Sequence, residues 1–139
     1  MTSLDRPNPV IDDPDTGGFF AAAGEGRLVV RSCQQCGRAL HLPRSYCHLC
    51  DSFDVEWRTV SGSASLYSWT VTEREISPAF PVPYTVVVVA LDDEPNVHLI
   101  GDLPGRPSLH AGMPMRVRFD RLPSGAVLPQ WEPAEQPAS

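Results

Sequence analysis

The chain has 139 residues and a formal net charge of −6, with 42% hydrophobic and 20% charged residues, the balance of a globular domain or of two very small ones sharing an interface. Its longest apolar run, Val86 to Leu91, is too short to span a bilayer, which excludes a helical membrane span. The acidic balance and the absence of lysine argue against nonspecific nucleic-acid binding, which needs phosphate neutralised by cations.

Residues 1–14 contain Pro7, Pro9 and Pro14 beside aspartates and read as an extended arm without its own core. Met1–Val10 shows no apolar stretch of the kind that directs secretion, so a cytoplasmic location is expected. Asp15 or Thr16 is placed to cap a short helix through Phe19, Phe20 and Ala23, stopped by Gly24 and Gly26. The arm and helix together occupy 1–26.

A ribbon is expected over 27–60. Arg27–Ser32 reads as a strand leading into the first cysteine pair. After the second pair, Phe53, Val55 and Trp57 alternate with Asp54, Glu56 and Arg58, which marks a strand with one buried face. The segment 27–58 is also locally basic, with five arginines against three acids. Ser61-Gly62-Ser63 then punctuates the chain, and a second unit is expected over 61–132, followed by a flexible tail, 133–139.

That second unit reads as five strands: Ala64–Arg74, Tyr84–Leu91, Val97–Leu103, Gly112–Phe119 and Ala126–Trp131. The β-branched run of the second is expected to be buried on both faces. Five strands over this length suggest a small closed barrel of the oligonucleotide/oligosaccharide-binding (OB) type. The fold class is therefore mainly β: an N-terminal helix, a small ribbon and a five-stranded OB-fold barrel.

The chemistry-bearing feature is Cys33, Cys36, Cys47 and Cys50, spaced C-x2-C-x10-C-x2-C and accounting for every cysteine. Two such knuckles offer four thiolates at tetrahedral angles, the arrangement zinc prefers. Gly37 follows the first pair, where a knuckle needs positive φ, but Asp51 follows the second. Tetrahedral sulfur ligation also suits iron; two disulfides belong to secreted proteins, and a redox dithiol needs one pair at a helix start. Four thiolates leave no open position, so one structural zinc per chain is the expectation. His41 and His48 lie inside the loop and are redundant as ligands.

No catalytic set is visible. His98 faces away from Val97 and Leu99, and Glu73 and Glu75 share one face of a strand end. Arg116 and Arg118 form a stripe on an amphipathic strand, and Trp57, Trp69 and Trp131 are core candidates. No nucleophile elbow or glycine-rich phosphate loop occurs, so the chain alone is expected not to be an enzyme.

The order of features resembles a known family: small acyl-CoA-associated proteins with a rubredoxin-like zinc ribbon followed by an OB-fold, which accompany thiolases and related lipid-transfer-type enzymes. The matching residues are Phe19-Phe20, Glu25-Gly26-Arg27-Leu28, Cys33-Gln34-Gln35-Cys36-Gly37, and Leu42-Pro43-Arg44 with Cys47-His48-Leu49-Cys50. Trp57, Ser61-Gly62, Leu66-Tyr67-Ser68, Pro83-Tyr84 with Val86–Leu91, and Gly112-Met113 through Phe119 continue the pattern, which covers about residues 15–131. The resemblance implies a noncatalytic subunit of a thiolase-like enzyme in an α2β2 heterotetramer. It links the chain to acyl-CoA condensation or cleavage, including aldol cleavage in steroid side-chain degradation, or to acyl transfer. Arg38 and Arg44 are then the candidates for contact with an acidic partner or with CoA phosphates. The competing readings are a single-stranded nucleic-acid-binding module, since ribbons and OB-folds both serve that role, and a rubredoxin-like electron carrier.

Overall fold

The computed structural model describes residues 6–134; the first five residues of the expected arm and residues 135–139 of the expected tail lie outside the described residues. Helix α1 spans Gly17–Gly24 and begins at Thr16, whose side chain makes no capping hydrogen bond. It ends where Gly26 takes a φ of 78° and the Arg27 N–H donates to the Ala22 carbonyl at 2.9 Å. Two glycines open the helix for a packing reason: a Cβ on Gly18 would overlap the Trp57 indole, on which this turn lies.

The ribbon is a three-stranded antiparallel sheet of β1 (Leu28–Cys33), β2 (Ala39–Leu40) and β3 (Val55–Val60), with β1 in the middle. Five further strands follow: β4 (Ser63–Thr72), β5 (Tyr84–Leu91), β6 (His98–Pro104), β7 (Pro114–Arg121) and β8 (Val127–Pro133). They form one antiparallel sheet in the order β6-β5-β4-β7-β8. The closure expected of a barrel is made without a backbone ladder between β6 and β8. Instead the Asp102 N–H of β6 donates to the Gln130 Oε1 of β8 at 2.8 Å, and Trp131, fully buried, packs against Gly101.

One apolar core runs through both sheets. Leu28, Val30 and Val60 of the ribbon strands join Leu66, Val87 and Trp131 in a single buried cluster. A second, much smaller cluster of Cys33, Leu40 and Cys47, with Val55 against it, lies at the far end of the ribbon. At the corner between the sheets, the Asp93 carboxylate accepts from the Ser61 N–H at 2.9 Å and the Ser61 hydroxyl at 2.8 Å, and these bonds hold its carboxyl below the usual range.

Four expectations need correction. Strand β5 is buried on one face only: Thr85, Val87, Val89 and Leu91 are buried, while Tyr84, Val86, Val88 and Ala90 are half-exposed. This sheet is antiparallel, and among the described residues no sheet or helix layer covers its outer face, so alternation replaces two-sided burial. Phe53 precedes β3 and is 79% exposed, because the backbone around it is engaged in the second cysteine knuckle. Glu73 and Glu75 fall beyond the end of β4, and Glu73 pairs with Arg106. Of the three tryptophans only Trp131 is wholly interior; Trp57 is half-buried under α1, and Trp69 is exposed.

Candidate metal centre and the adjoining groove

The two cysteine pairs are built alike. In the first, the Gly37 N–H donates to the Cys33 carbonyl and the Cys33 N–H to the Arg38 carbonyl, each at 2.8 Å. In the second, the Asp51 N–H donates to the Cys47 carbonyl and the Cys47 N–H to the Ser52 carbonyl, again at 2.8 Å. Each turn requires a left-handed residue, which Gly37 supplies at φ 78° and Asp51 at φ 62°. Aspartate is among the few side chains that tolerate this region.

These turns bring all four sulfurs within 4.8 Å of one another, with Cys33 Sγ to Cys50 Sγ at 3.5 Å and Cys36 Sγ to Cys47 Sγ at 3.7 Å. A tetrahedral site with metal–sulfur bonds of ~2.3 Å has sulfur–sulfur edges of ~3.8 Å, so the four cysteines fit one metal ion. Their protonation points the same way. The Cys36 N–H is the main cause that lowers the Cys33 thiol to about 7, against the cost of burial. The Ser52 N–H favours the Cys50 thiolate, but burial and the neighbouring sulfurs outweigh it and push Cys50 up to about 12. A divalent cation at the centre of the four sulfurs would favour the thiolate form of its ligands. Cys33, Cys36, Cys47 and Cys50 would hold the ion together, and a metal held by four thiolates would leave no position for a substrate.

Arg38 and Arg44 are both exposed. Arg38 lies in the first knuckle, and the Arg44 carbonyl accepts from the Arg31 Nε at 3.2 Å. Neither guanidinium has a carboxylate partner among the described residues, in contrast to Arg58, Arg116 and Arg118, which pair with Glu94, Glu132 and Asp120. Arg31 stacks on the Trp57 ring at 4.7 Å. His41 and His48 are exposed and outside the sulfur cluster. His98 points outward, as its place in β6 implied, and its ring lies 4.4 Å from Tyr67, which a bulge in β4 displaces from the ladder.

Between α1, the ribbon loop His41–Pro43 and the barrel lies a groove of about 350 Å³ that sequence reasoning missed. Phe19 and Phe20 of α1 form one wall, His41 to Pro43 of the ribbon another, and Ile100 with Leu128 and Trp131 the third. Partial desolvation in this groove, helped by the charge of His98, holds the His41 imidazole below its ordinary range. One signal was legible. Ile100 shares the outer face of β6 with His98 and Asp102, an apolar residue where a polar one belongs, and it is 66% exposed.

Comparisons with known proteins agree with this geometry. The family model for the ChsH2 rubredoxin-like zinc ribbon domain matches residues 20–56, and that for the ChsH2 C-terminal OB-fold domain matches residues 57–120. A solved structure described as an Ltp2-ChsH2(DUF35) aldolase contains a similar chain, with a TM-score of 0.81 and 30% identity over 94% of this chain and 100% of that one. A protein of unknown function from the DUF35 family of Sulfolobus solfataricus shares the fold at a TM-score of 0.58 and 18% identity, over 75% of this chain and 77% of that one. Among curated proteins, a probable enoyl-CoA hydratase alpha subunit of Thermomonospora curvata is 32% identical over 93% of this chain. The present chain spans 40% of that relative's length.

Proposed function

The chain belongs to the ChsH2 family of zinc-ribbon and OB-fold proteins, and from that premise we propose that it is a noncatalytic accessory subunit of an acyl-CoA enzyme. The partner is a thiolase-like subunit that supplies nucleophile and bases, in an α2β2 assembly in the cytoplasm. The observation that carries this reading is the end-to-end likeness to a chain of the aldolase structure, which leaves no part of that chain without a counterpart here.

The chemistry of the site supports the same role. A closed set of four cysteines does no chemistry on a substrate, and zinc is the metal that this ligand set and geometry suit best. The ribbon tip beyond the metal exposes Leu49 and Phe53, with Tyr46 beside Phe53 at 5.9 Å, the kind of apolar display that interfaces cover. The ribbon and the groove beside it would then help to shape the partner's CoA and substrate channel, with Arg38 and Arg44 free to meet an acidic surface or a phosphate. The segment boundaries of this reading are an arm and helix over 1–26, a ribbon over 27–60, a barrel over 61–132 and a tail over 133–139.

Co-expression with the thiolase-like enzyme encoded nearest to it, followed by size exclusion with light scattering, is the test. A complex of two copies of each chain, with the activity lost when this chain is omitted, is the expected result. Clean separation of the two proteins would sink the reading.

The likeness to a hydratase alpha subunit favours a second reading, in which the chain contributes to hydration of an enoyl-CoA. The likeness covers 40% of that relative's length. Hydratase activity in the purified chain alone would favour this second reading over the first. The nucleic-acid reading loses support on geometry. The outer face of β5 and β6, where OB-folds hold oligonucleotides, carries Val86, Val88 and Ile100 beside His98 and Asp102, and no arginine.

A further inference from the structure

Strand β4 is paired on both sides only at its start. Its ladder with β7 covers Ser63–Ser65. The Leu66 N–H then donates to the Met113 carbonyl at 2.9 Å, and the Leu66 carbonyl accepts from the Gly112 N–H at 2.8 Å. Beyond Leu66, the one strand paired with β4 among the described residues is β5. Along β5 the odd-numbered residues turn their backbone groups toward β6, as the bond from the Leu91 N–H to the Val97 carbonyl shows, so the even-numbered ones serve β4. Val86 and Tyr84 stand opposite Thr70 and Thr72. The N–H and carbonyl groups of Trp69 and Val71 therefore point to the unpaired side, where they have no backbone partner among the described residues.

This edge lacks the guards that keep strands apart. Ser68–Thr72 contains no charge and no proline, and the bulge of β4 lies before it, between Leu66 and Ser68. By contrast, β3 carries Glu56 and Arg58, β7 carries Arg118 and Asp120, and β8 carries Pro129 and Pro133. Tyr67, Ser68, Trp69 and Thr70 are exposed in succession, and two of them are aromatic, the residue type that interfaces favour.

We propose that Ser68–Thr72 is a docking edge for a second copy of this chain, the two β4 strands pairing antiparallel about a two-fold axis at Thr70. The edge complements itself in this register. Trp69 of each copy lies opposite Val71 of the other and exchanges both backbone bonds with it. Thr70 meets Thr70 on the axis, and Ser68 meets Thr72. Aromatic–β-branched, Thr–Thr and Thr–Ser pairs are among those that stabilise antiparallel strands. A slide that sets Val71 against itself places Trp69 opposite Glu73, whose carboxylate Arg106 already holds. The opposite slide spends Thr72 on Leu66, whose backbone groups are taken. The contact is independent of the assembly with an enzyme subunit proposed above.

Sedimentation equilibrium of the metal-loaded full chain tests this. A contact this small should give a reversible dimer with a Kd of ~10–100 µM. Thr70→Lys sets like charges opposite each other on the axis and should weaken the dimer at least about tenfold. Phe53→Lys, at an exposed position on the ribbon, should leave it unchanged. Facing residues of such a pair have Cα atoms ~4.5 Å apart, so Thr70→Cys should form a reducible dimer with oxidised glutathione. Ser68→Cys alone should not, whereas Ser68→Cys mixed with Thr72→Cys should.

A mass that stays monomeric up to ~500 µM would overturn the proposal. So would a dimer that ignores Thr70→Lys, or one that Ser68→Cys links as readily as Thr70→Cys. A parent chain that stays monomeric, with Thr70→Lys failing to assemble with the enzyme subunit, would give the edge to a strand of that subunit and refute its pairing with a second copy.

Discussion

The two ends of this molecule are held together by different physics. The barrel end buries Trp131, Leu66, Val87, Val89, Leu91 and Met115 almost completely, and ribbon residues Leu28, Val30 and Val60 share that core. The tip of the ribbon buries little beyond Cys33, Cys47 and Leu40, two of which belong to the set of four cysteines placed to hold a metal ion. A segment this small cannot offset its chain entropy by apolar burial, so its fold should depend on a metal held by the four cysteines. The consequence is functional. A tip fixed by four sulfurs need not turn its apolar side chains inward, and Leu42, Leu49 and Phe53 are left facing water.

The largest break in this comparison comes from Cys47→Ser. Structural zinc contributes ~10–16 kcal/mol to the folding of comparable small sites, and losing one of four ligands should remove several kcal/mol of it. Metal content should fall well below one ion per chain, and partner assembly should weaken. A variant that kept its metal and assembled normally would contradict the division.

Trp131→Ala probes the other end. Removing a wholly buried indole should cost ~3–5 kcal/mol in urea unfolding, while metal content stays unchanged. Loss of metal in this variant would show the two ends to be one cooperative unit. Gly18→Ala is expected to cost ~1–3 kcal/mol, because its methyl group must displace the Trp57 indole and lift α1 from the ribbon. A thermal melt of the metal-loaded chain measures it.

The smallest effect is a gain. Asp51→Gly relieves a non-glycine residue at φ 62° and should stabilise the second knuckle by up to ~1 kcal/mol, read as slower metal loss to a competing chelator. Faster loss would mean that the aspartate side chain itself supports the site.

Much of this architecture was legible in the chain. The knuckles announce themselves by spacing, because a tetrahedral thiolate site fixes which sequence separations work. The strands from Tyr84 onward show because a β-branched run and the turn residues between segments mark them out. Exposure of the second face of β5 was not legible: Val86 and Val88 read as interior, and the structure leaves them half-exposed. The groove was hidden for a related reason. Phe19, Leu42, Ile100 and Leu128 are far apart in sequence, and nothing local says that a helix, a ribbon loop and two strands meet there.

The dependence of the ribbon on its metal, and the independence of the barrel, is measured most directly by recording amide resonances of the whole chain before and after metal removal with a chelator. The resonances of residues 33–53 should collapse toward unfolded positions and return when zinc is restored, while those of β5, β6 and β8 hold their places. Ribbon resonances that ignore the chelator, or barrel resonances that vanish with them, would contradict the account.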